Sequence, residues 1–135
     1  MHHDANHLSS RGLELPPTEL LIDGRWEASA SGLRFDSIDP ATGQVITSIA
    51  RGHATDVDRA VGAARRALER KTWRLMSGAQ RGRLLYRLAE LLEQDRETMV
   101  QLESMDAGKP LAATRRQDLP AAIDCLRYYA GWADK

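Results

Sequence analysis

The chain has 135 residues, 42% apolar and 28% charged, which suits one ordinary domain with a packed core and excludes two. Its 19 basic and 19 acidic residues cancel, so no net field favours nucleic acid or an anionic membrane. One cysteine, Cys125, excludes an intramolecular disulfide, and no apolar run approaches the roughly 18 residues of a membrane span.

Residues 1–18 are polar, carry His2, His3 and His7 at no metal-site spacing, and end on Pro16-Pro17 and Thr18. They read as a mobile arm without the apolar segment of a signal peptide. A soluble chain in the cytoplasm is expected. "ELLIDGRWEAS" comes next, where Asp23-Gly24 between Leu20–Ile22 and Arg25-Trp26 predicts a hairpin with a type I′ turn. A second extended pair, "RFDSID" and "QVITSIA", flanks the turn "PATG".

From here the period changes to that of helices. Thr55 is the expected N-cap of a helix over about Asp56 to Arg70, with Val57, Ala60, Val61, Ala64, Ala67 and Leu68 along one face. A loop carrying Trp73 leads to Ser77, which with Gln80 forms a capping box for a leucine-rich helix ending near Gln94. Asp95 then caps a third helix with Met99, Leu102 and Met105 inward, stopped by Gly108 and Pro110. The last helix starts near Asp118, tolerates Pro120 in its first turn, and turns Ala122, Ile123, Leu126, Tyr129 and Ala130 to one side. Two hairpins and four helices leave apolar faces that need partners.

Few residues carry chemistry on their own. No GxGxxG or GxxxxGK[ST] stretch is present. Cys125 sits mid-helix without a nearby histidine, which reads as structural, and His53 stands alone. The carboxylates Glu90, Glu93, Asp95 and Glu97 read as solvated helix pairs with neighbouring arginines. Asp106 is more pointed, because an acid at a helix C-terminus opposes the helix dipole. Lys109, exposure to water, or a bound cation held by hard oxygen ligands could each compensate it.

In order along the chain stand "LIDGRW", "DPATGQVI", "ATDVDRAVGAARRAL", "WRLMSGAQRGRLLYRLAELLEQDRE", "ESMDAGKP" and "CLRYYAGWADK". From about Leu20 to Lys135 the sequence resembles the N-terminal segment of the NAD(P)-dependent aldehyde dehydrogenases, above all the mitochondrial, cytosolic and betaine or aminoaldehyde groups. The resemblance implies an α/β fold: the N-terminal part of a cofactor-binding domain, two β-hairpins then about four helices, with an incomplete Rossmann-like core. Residues 19–135 would form that truncated portion. It implies a full-length enzyme, dimeric or tetrameric, that oxidises an aldehyde to a carboxylate with NAD or NADP. The family's nucleophilic cysteine, its glutamate base and its cofactor-binding segments have no match here, so the isolated chain is expected to be inactive.

Three further implications concern sites. A structural monovalent cation would be held by the backbone around Ser37 and Ile38 and by the Asp106 carboxylate. Gln117, Asp118 and Ala121 match positions that line the family's substrate tunnel. Asp118 retains one of the acids that meet cationic substrates in aminoaldehyde-type members, whereas Ala121 lacks the second. Asp118 also reads as a simple N-cap for the helix beginning at Leu119. The rival to the enzyme reading is a non-catalytic product that associates with full-length dehydrogenase subunits through Ile123, Leu126 and Trp132. An unrelated four-helix binding module would require the ordered motifs to be accidental.

Overall fold

The computed structural model of the protein describes Leu13 and residues 15–135. The histidines His2, His3 and His7, with most of the expected arm over 1–18, lie outside the described residues. The chain forms two compact units, one ending at Arg74 and one spanning Leu75–Lys135.

In the first unit β1 (Leu20–Ile22) pairs antiparallel with β2 (Arg25–Glu27), Leu21 lying opposite Trp26. Asp23 and Gly24 have φ of 51° and 77°, the two left-handed residues that a type I′ turn requires. β3 (Arg34–Ile38) and β4 (Val45–Ala50) form the second antiparallel pair. Asp39 builds their turn: its side chain accepts from the Ala41 N–H and its carbonyl from the Gly43 N–H, both at 2.8 Å. The register slips between Ser37 and Ile38, which leaves Ile46 as an extra residue in β4, a bulge. Ile46 and Ala50, with Ala63 of the following helix, are the buried apolar side chains of this unit.

That helix, α1 (Ala54–Glu69), begins two residues before the expected start. Thr55 does not cap it. Instead Asp56, in the first turn, reaches back to the N–H of His53 at 2.9 Å. Anchoring the helix through Asp56 also fixes its rotation. Asp56, Ala60 and Ala63 turn inward, while Val57, Val61 and Leu68 of the expected inner face are exposed. The segment around Trp73, expected as a loop, forms the short helix α2 (Lys71–Arg74).

The second unit is helical throughout. α3 (Gly78–Gln94) opens with the expected capping box: Ser77 Oγ accepts from the Gln80 N–H at 3.2 Å, and Gln80 Oε1 accepts from the Ser77 N–H at 2.7 Å. α4 (Arg96–Ala107) follows at once. Asp95 occupies its N-cap position, but at φ −92° and ψ 19° its side chain makes no capping bond, because the chain passes from helix to helix without extending. Gly108, at φ 65°, ends α4 as expected.

The chain re-enters helix earlier than the sequence pattern suggests. α5 (Leu111–Ala113) runs into a π turn, Thr114–Asp118, and then α6 (Leu119–Trp132), with helical backbone throughout. Pro120 explains the π turn. A proline inside a helix cannot donate, and its ring crowds the carbonyl four residues earlier, here that of Arg116. One wider turn ahead of it relieves both problems.

Ala89, Val100, Leu119 and Ile123 form the core of this unit, with Leu92, Met99 and Leu126 packed against them. α6 lies close along α3, where Gly82 faces the Ala130 carbonyl. Ile123, Leu126 and Ala130 point inward as expected, but Ala122 and Tyr129 do not. Tyr128, Tyr129 and Trp132 are 59%, 60% and 57% exposed, an aromatic face with nothing packed on it among the described residues.

Candidate functional site

Two polar clusters stand out, one in each unit. In the first, the Asp56 carboxylate is almost fully buried and accepts from four directions. The His53 N–H lies at 2.9 Å, the Ala30 N–H at 3.0 Å, the Ser29 hydroxyl at 3.3 Å and Arg59 Nη1 at 3.3 Å. Arg59 also pairs with Glu27. The His53 N–H, then the Ala30 N–H, the Ser29 hydroxyl and the charge of Arg59, hold the Asp56 carboxyl below the ordinary carboxylate range, against the opposing pull of burial. This cluster joins the 29–30 loop to the N-terminus of α1. It is a structural node.

The same node decides a question about cofactors. A nicotinamide dinucleotide is commonly held by its pyrophosphate at the N-terminus of a helix that follows a strand. The β4–α1 junction is the one strand-to-helix junction among the described residues. Its first turn already carries the Asp56 carboxylate on the His53 N–H, and a second anion there would meet a buried negative charge. The residues present do not fit the cofactor's phosphates.

The second cluster surrounds the π turn. Gln117 and Asp118 are its last two residues, and Ala121 lies in the first turn of α6. Gln117 and Ala121 are exposed one helical turn apart, and Asp118 is half-buried. The structure thus brings these three sequence-predicted residues together on one stretch of surface. Asp118 is not an N-cap: at φ −66° and ψ −53° it is within the helical path and makes no capping bond. Its carboxylate instead accepts from Lys109 Nζ at 2.9 Å.

Further contacts fix the turn itself. Arg115 donates through Nε and Nη2 to the two carboxylate oxygens of Glu97, at 3.2 and 2.7 Å. Arg96 Nη2 donates to the Arg115 carbonyl at 3.1 Å. Glu97 is held below the usual carboxylate range chiefly by the Arg115 hydrogen bond, and Lys109 above the usual ammonium range chiefly by that of Asp118. Thr114, which opens the turn, is fully buried, and its hydroxyl has no partner among the described residues. Sequence reasoning offered Lys109 to Asp106. The Asp118 partnership escaped it, because the two stand nine positions apart with an unforeseen π turn on the way.

Of the expected cation ligands, Ser37 and Ile38 stand in β3 where the bulge breaks the regular ladder. Asp106 stands exposed in the last turn of α4, in the other unit. Backbone carbonyls beside a bulge and an exposed carboxylate are hard oxygen donors, the chemistry that a monovalent cation prefers. Among the described residues no three His, Cys, Asp or Glu side chains converge on one point, and no helix is long and apolar enough to cross a membrane.

Comparison with known proteins places this arrangement. The sequence profile of the aldehyde dehydrogenase family matches residues 26–135. The human mitochondrial aldehyde dehydrogenase is 46% identical over 118 residues, which cover 87% of this chain and 23% of that one. The Arabidopsis thaliana mitochondrial aldehyde dehydrogenase family 2 member B4 is 42% identical over 131 residues, covering 97% and 24%. Among solved structures, PnpE in complex with nicotinamide adenine dinucleotide superposes with a TM-score of 0.83 at 41% identity, covering 88% of this chain and 24% of that one. The chain therefore spans about a quarter of the length of the relatives that it matches. With the family profile matching residues 26–135 and the fold shared at a TM-score of 0.83, the chain belongs to the aldehyde dehydrogenase family.

Proposed function

We propose that this chain is the N-terminal scaffold of an enzyme that oxidises an aldehyde to a carboxylic acid. The family match over residues 26–135 is the observation that carries the reading. In such an enzyme NAD or NADP supplies the hydride acceptor. The β4–α1 junction does not suit the cofactor's phosphates, so no step of the chemistry is assigned to this segment.

Its own residues have positioning roles. Gln117, Asp118 and Ala121 form part of a substrate tunnel wall, supported by the exposure of Gln117 and Ala121 one helical turn apart with the half-buried Asp118 beside them. The backbone carbonyls of Ser37 and Ile38 are ligands of a monovalent cation, supported by their hard-oxygen character beside the β3–β4 bulge. Cancelling charges and a lone, exposed cysteine support a cytoplasmic setting. The full-length form is a dimer or tetramer.

The 135-residue chain by itself is expected to be inactive. Purified chain incubated with acetaldehyde and NAD should give no increase in absorbance from reduced cofactor. Sustained turnover would overturn the scaffold reading.

Ile123 and Leu126, expected on the docking face of the rival reading, are packed in the core, so that reading, a non-catalytic product that docks on full-length dehydrogenase subunits, rests on the exposed Trp132 with Tyr128 and Tyr129. Retention of the purified chain on an immobilised intact aldehyde dehydrogenase would support it, and a monodisperse monomer that ignores such a column would refute it.

A further inference from the structure

We propose that the groove between β1 and α1 binds an aliphatic carboxylate, its tail laid on the alanine face of α1 and its head group met by Arg66 and Arg70. The site lies in the first unit and does not rest on the enzyme reading above.

Small side chains leave the space open. Ala60, Ala64 and Ala67 stand at i, i+4 and i+7 along the side of α1 that lines the groove, and Leu21 of β1 lines it from the hairpin. With methyl groups there in place of larger side chains, helix and hairpin do not close on each other. A groove of about 460 Å³ runs between them, within the size range of small-molecule sites. Leu21 is 57% exposed, and Ala64 and Ala67 are exposed as well, so apolar surface is left for a ligand to cover. From Ala60 to Ala67 the floor extends about 10 Å along the helix axis, which suits an alkyl chain lying lengthwise.

Charge selects the head group. The type I′ turn carries Asp23 to the last turns of α1, where Arg66 Nη2 lies 3.8 Å and Arg70 Nη2 3.5 Å from its two carboxylate oxygens. A guanidinium–carboxylate fork closes to about 2.7–2.9 Å, so neither arginine forms one with Asp23. Among the described residues neither has another ion-pair partner. Two permanent positive charges thus share one negative charge at long range. The negative end of the α1 dipole offsets about half a charge more, and this end of the groove stays positive. Its planar donors match the geometry of a second carboxylate. Both guanidinium side chains are largely exposed, so the ionic contact is worth little by itself and chiefly decides the sign of the ligand, while the apolar floor supplies most of the affinity.

The test titrates the 135-residue chain with octanoate, read by amide NMR, with octylammonium at equal ionic strength as the cation of the same tail. Octanoate should move the amides of residues 21–24 and 60–70 saturably. Octylammonium should act on them with an apparent affinity at least about threefold weaker, the scale of one exposed ion pair. Replacing both arginines, Arg66→Gln with Arg70→Gln, should abolish the preference between the probes. Asp23→Asn removes the competing carboxylate and keeps a residue that suits the turn. It should bind octanoate about two- to fivefold more tightly than the wild type, whereas a purely structural role for Asp23 predicts weaker binding. Ala64→Leu, a good helix former that fills the groove, should weaken both probes. Equal affinity for the two probes, weaker octanoate binding in Asp23→Asn, unchanged binding in Ala64→Leu, or shifts confined to Tyr128, Tyr129 and Trp132 would each overturn the proposal. So would movement of the groove amides on raising the protein concentration alone, which would make a second copy of the chain the occupant.

Discussion

Adding one methyl group at Gly82 should destabilise the helical unit, although the same change at Gly131 should not. A Cβ at Gly82 would lie 2.6 Å from the Ala130 carbonyl oxygen and 3.5 Å from Ala133 Cβ. An ordinary carbon–oxygen contact needs about 3.3 Å, so α3 and α6 must part by about 0.7 Å there. A gap of that size forfeits roughly a quarter to a half of each affected dispersion contact along the Ile123–Ala89 seam. Overpacking of this kind costs about 1–3 kcal/mol, and the better helix propensity of alanine returns about 1 kcal/mol. The net for Gly82→Ala is a loss of up to about 2 kcal/mol. Gly131 lies in α6 with nothing within 4 Å of its added Cβ. Gly131→Ala should therefore gain about 0.4–1 kcal/mol from the unfolded chain's reduced freedom. Native-state amide exchange in α3 and α6 reads this unit separately from the other. If Gly82→Ala protects those amides as well as the wild type does, or if both variants shift the same way, the close approach of α3 and α6 is wrong.

Three other outcomes follow from the same packing and charges. Ile123, 1% exposed, should cost about 2–4 kcal/mol when cut to alanine, whereas the exposed Trp132 should cost under about 0.5 kcal/mol, both measured by α3 amide exchange in the isolated chain. Ser77→Ala should lose about 1 kcal/mol of α3 stability and Asp95→Ala far less in α4, because only Ser77 makes a capping bond. Asp56 has a lowered carboxyl pKa in the fold, so its stabilisation is present above the unfolded carboxylate value and disappears as pH falls through the folded one. The stability gap between wild type and Asp56→Asn in urea should thus be widest near neutrality and close as pH falls through and below the ordinary carboxylate range. A gap that widened on acidification would contradict this.

How far the chain could be read in advance varied with the kind of signal. Asp23-Gly24 and Ser77 with Gln80 were legible because the residues that specify each feature are the residues that form it. The start of α1 was not. A hydroxyl at Thr55 looks like a cap, but the working group is the Asp56 carboxylate reaching back to a main-chain N–H. The face of α1 was misjudged for a related reason. Periodicity reveals an apolar stripe, and Val57, Val61 and Leu68 do form one, but it cannot say which side a buried carboxylate will pin inward. Pro120 does stand in the first turn of α6, as expected, but the helical backbone ahead of it was not legible, since a proline at a helix start and a proline after a π turn leave the same mark in a sequence. Of the candidate site, the grouping of Gln117, Asp118 and Ala121 was visible because they are near neighbours in the chain. The Lys109 contact depended on tertiary geometry and left no local trace.

The π turn has a consequence for how this segment tolerates change in length. Each residue advances a helix by about 100°, so the single extra residue that the turn accommodates resets the rotational phase of everything after it. Ile123 and Ala130 meet α3, and Tyr128, Tyr129 and Trp132 face away, only with that phase. Losing one residue between Thr114 and Asp118 would swing the aromatic side of α6 toward Gly82 and send Ile123 toward water. The loop around Lys109 can absorb an insertion at its open end. The stretch from Thr114 to Leu119 works as a fixed-count spacer, and its length constrains the molecule more tightly than the identity of most of its side chains.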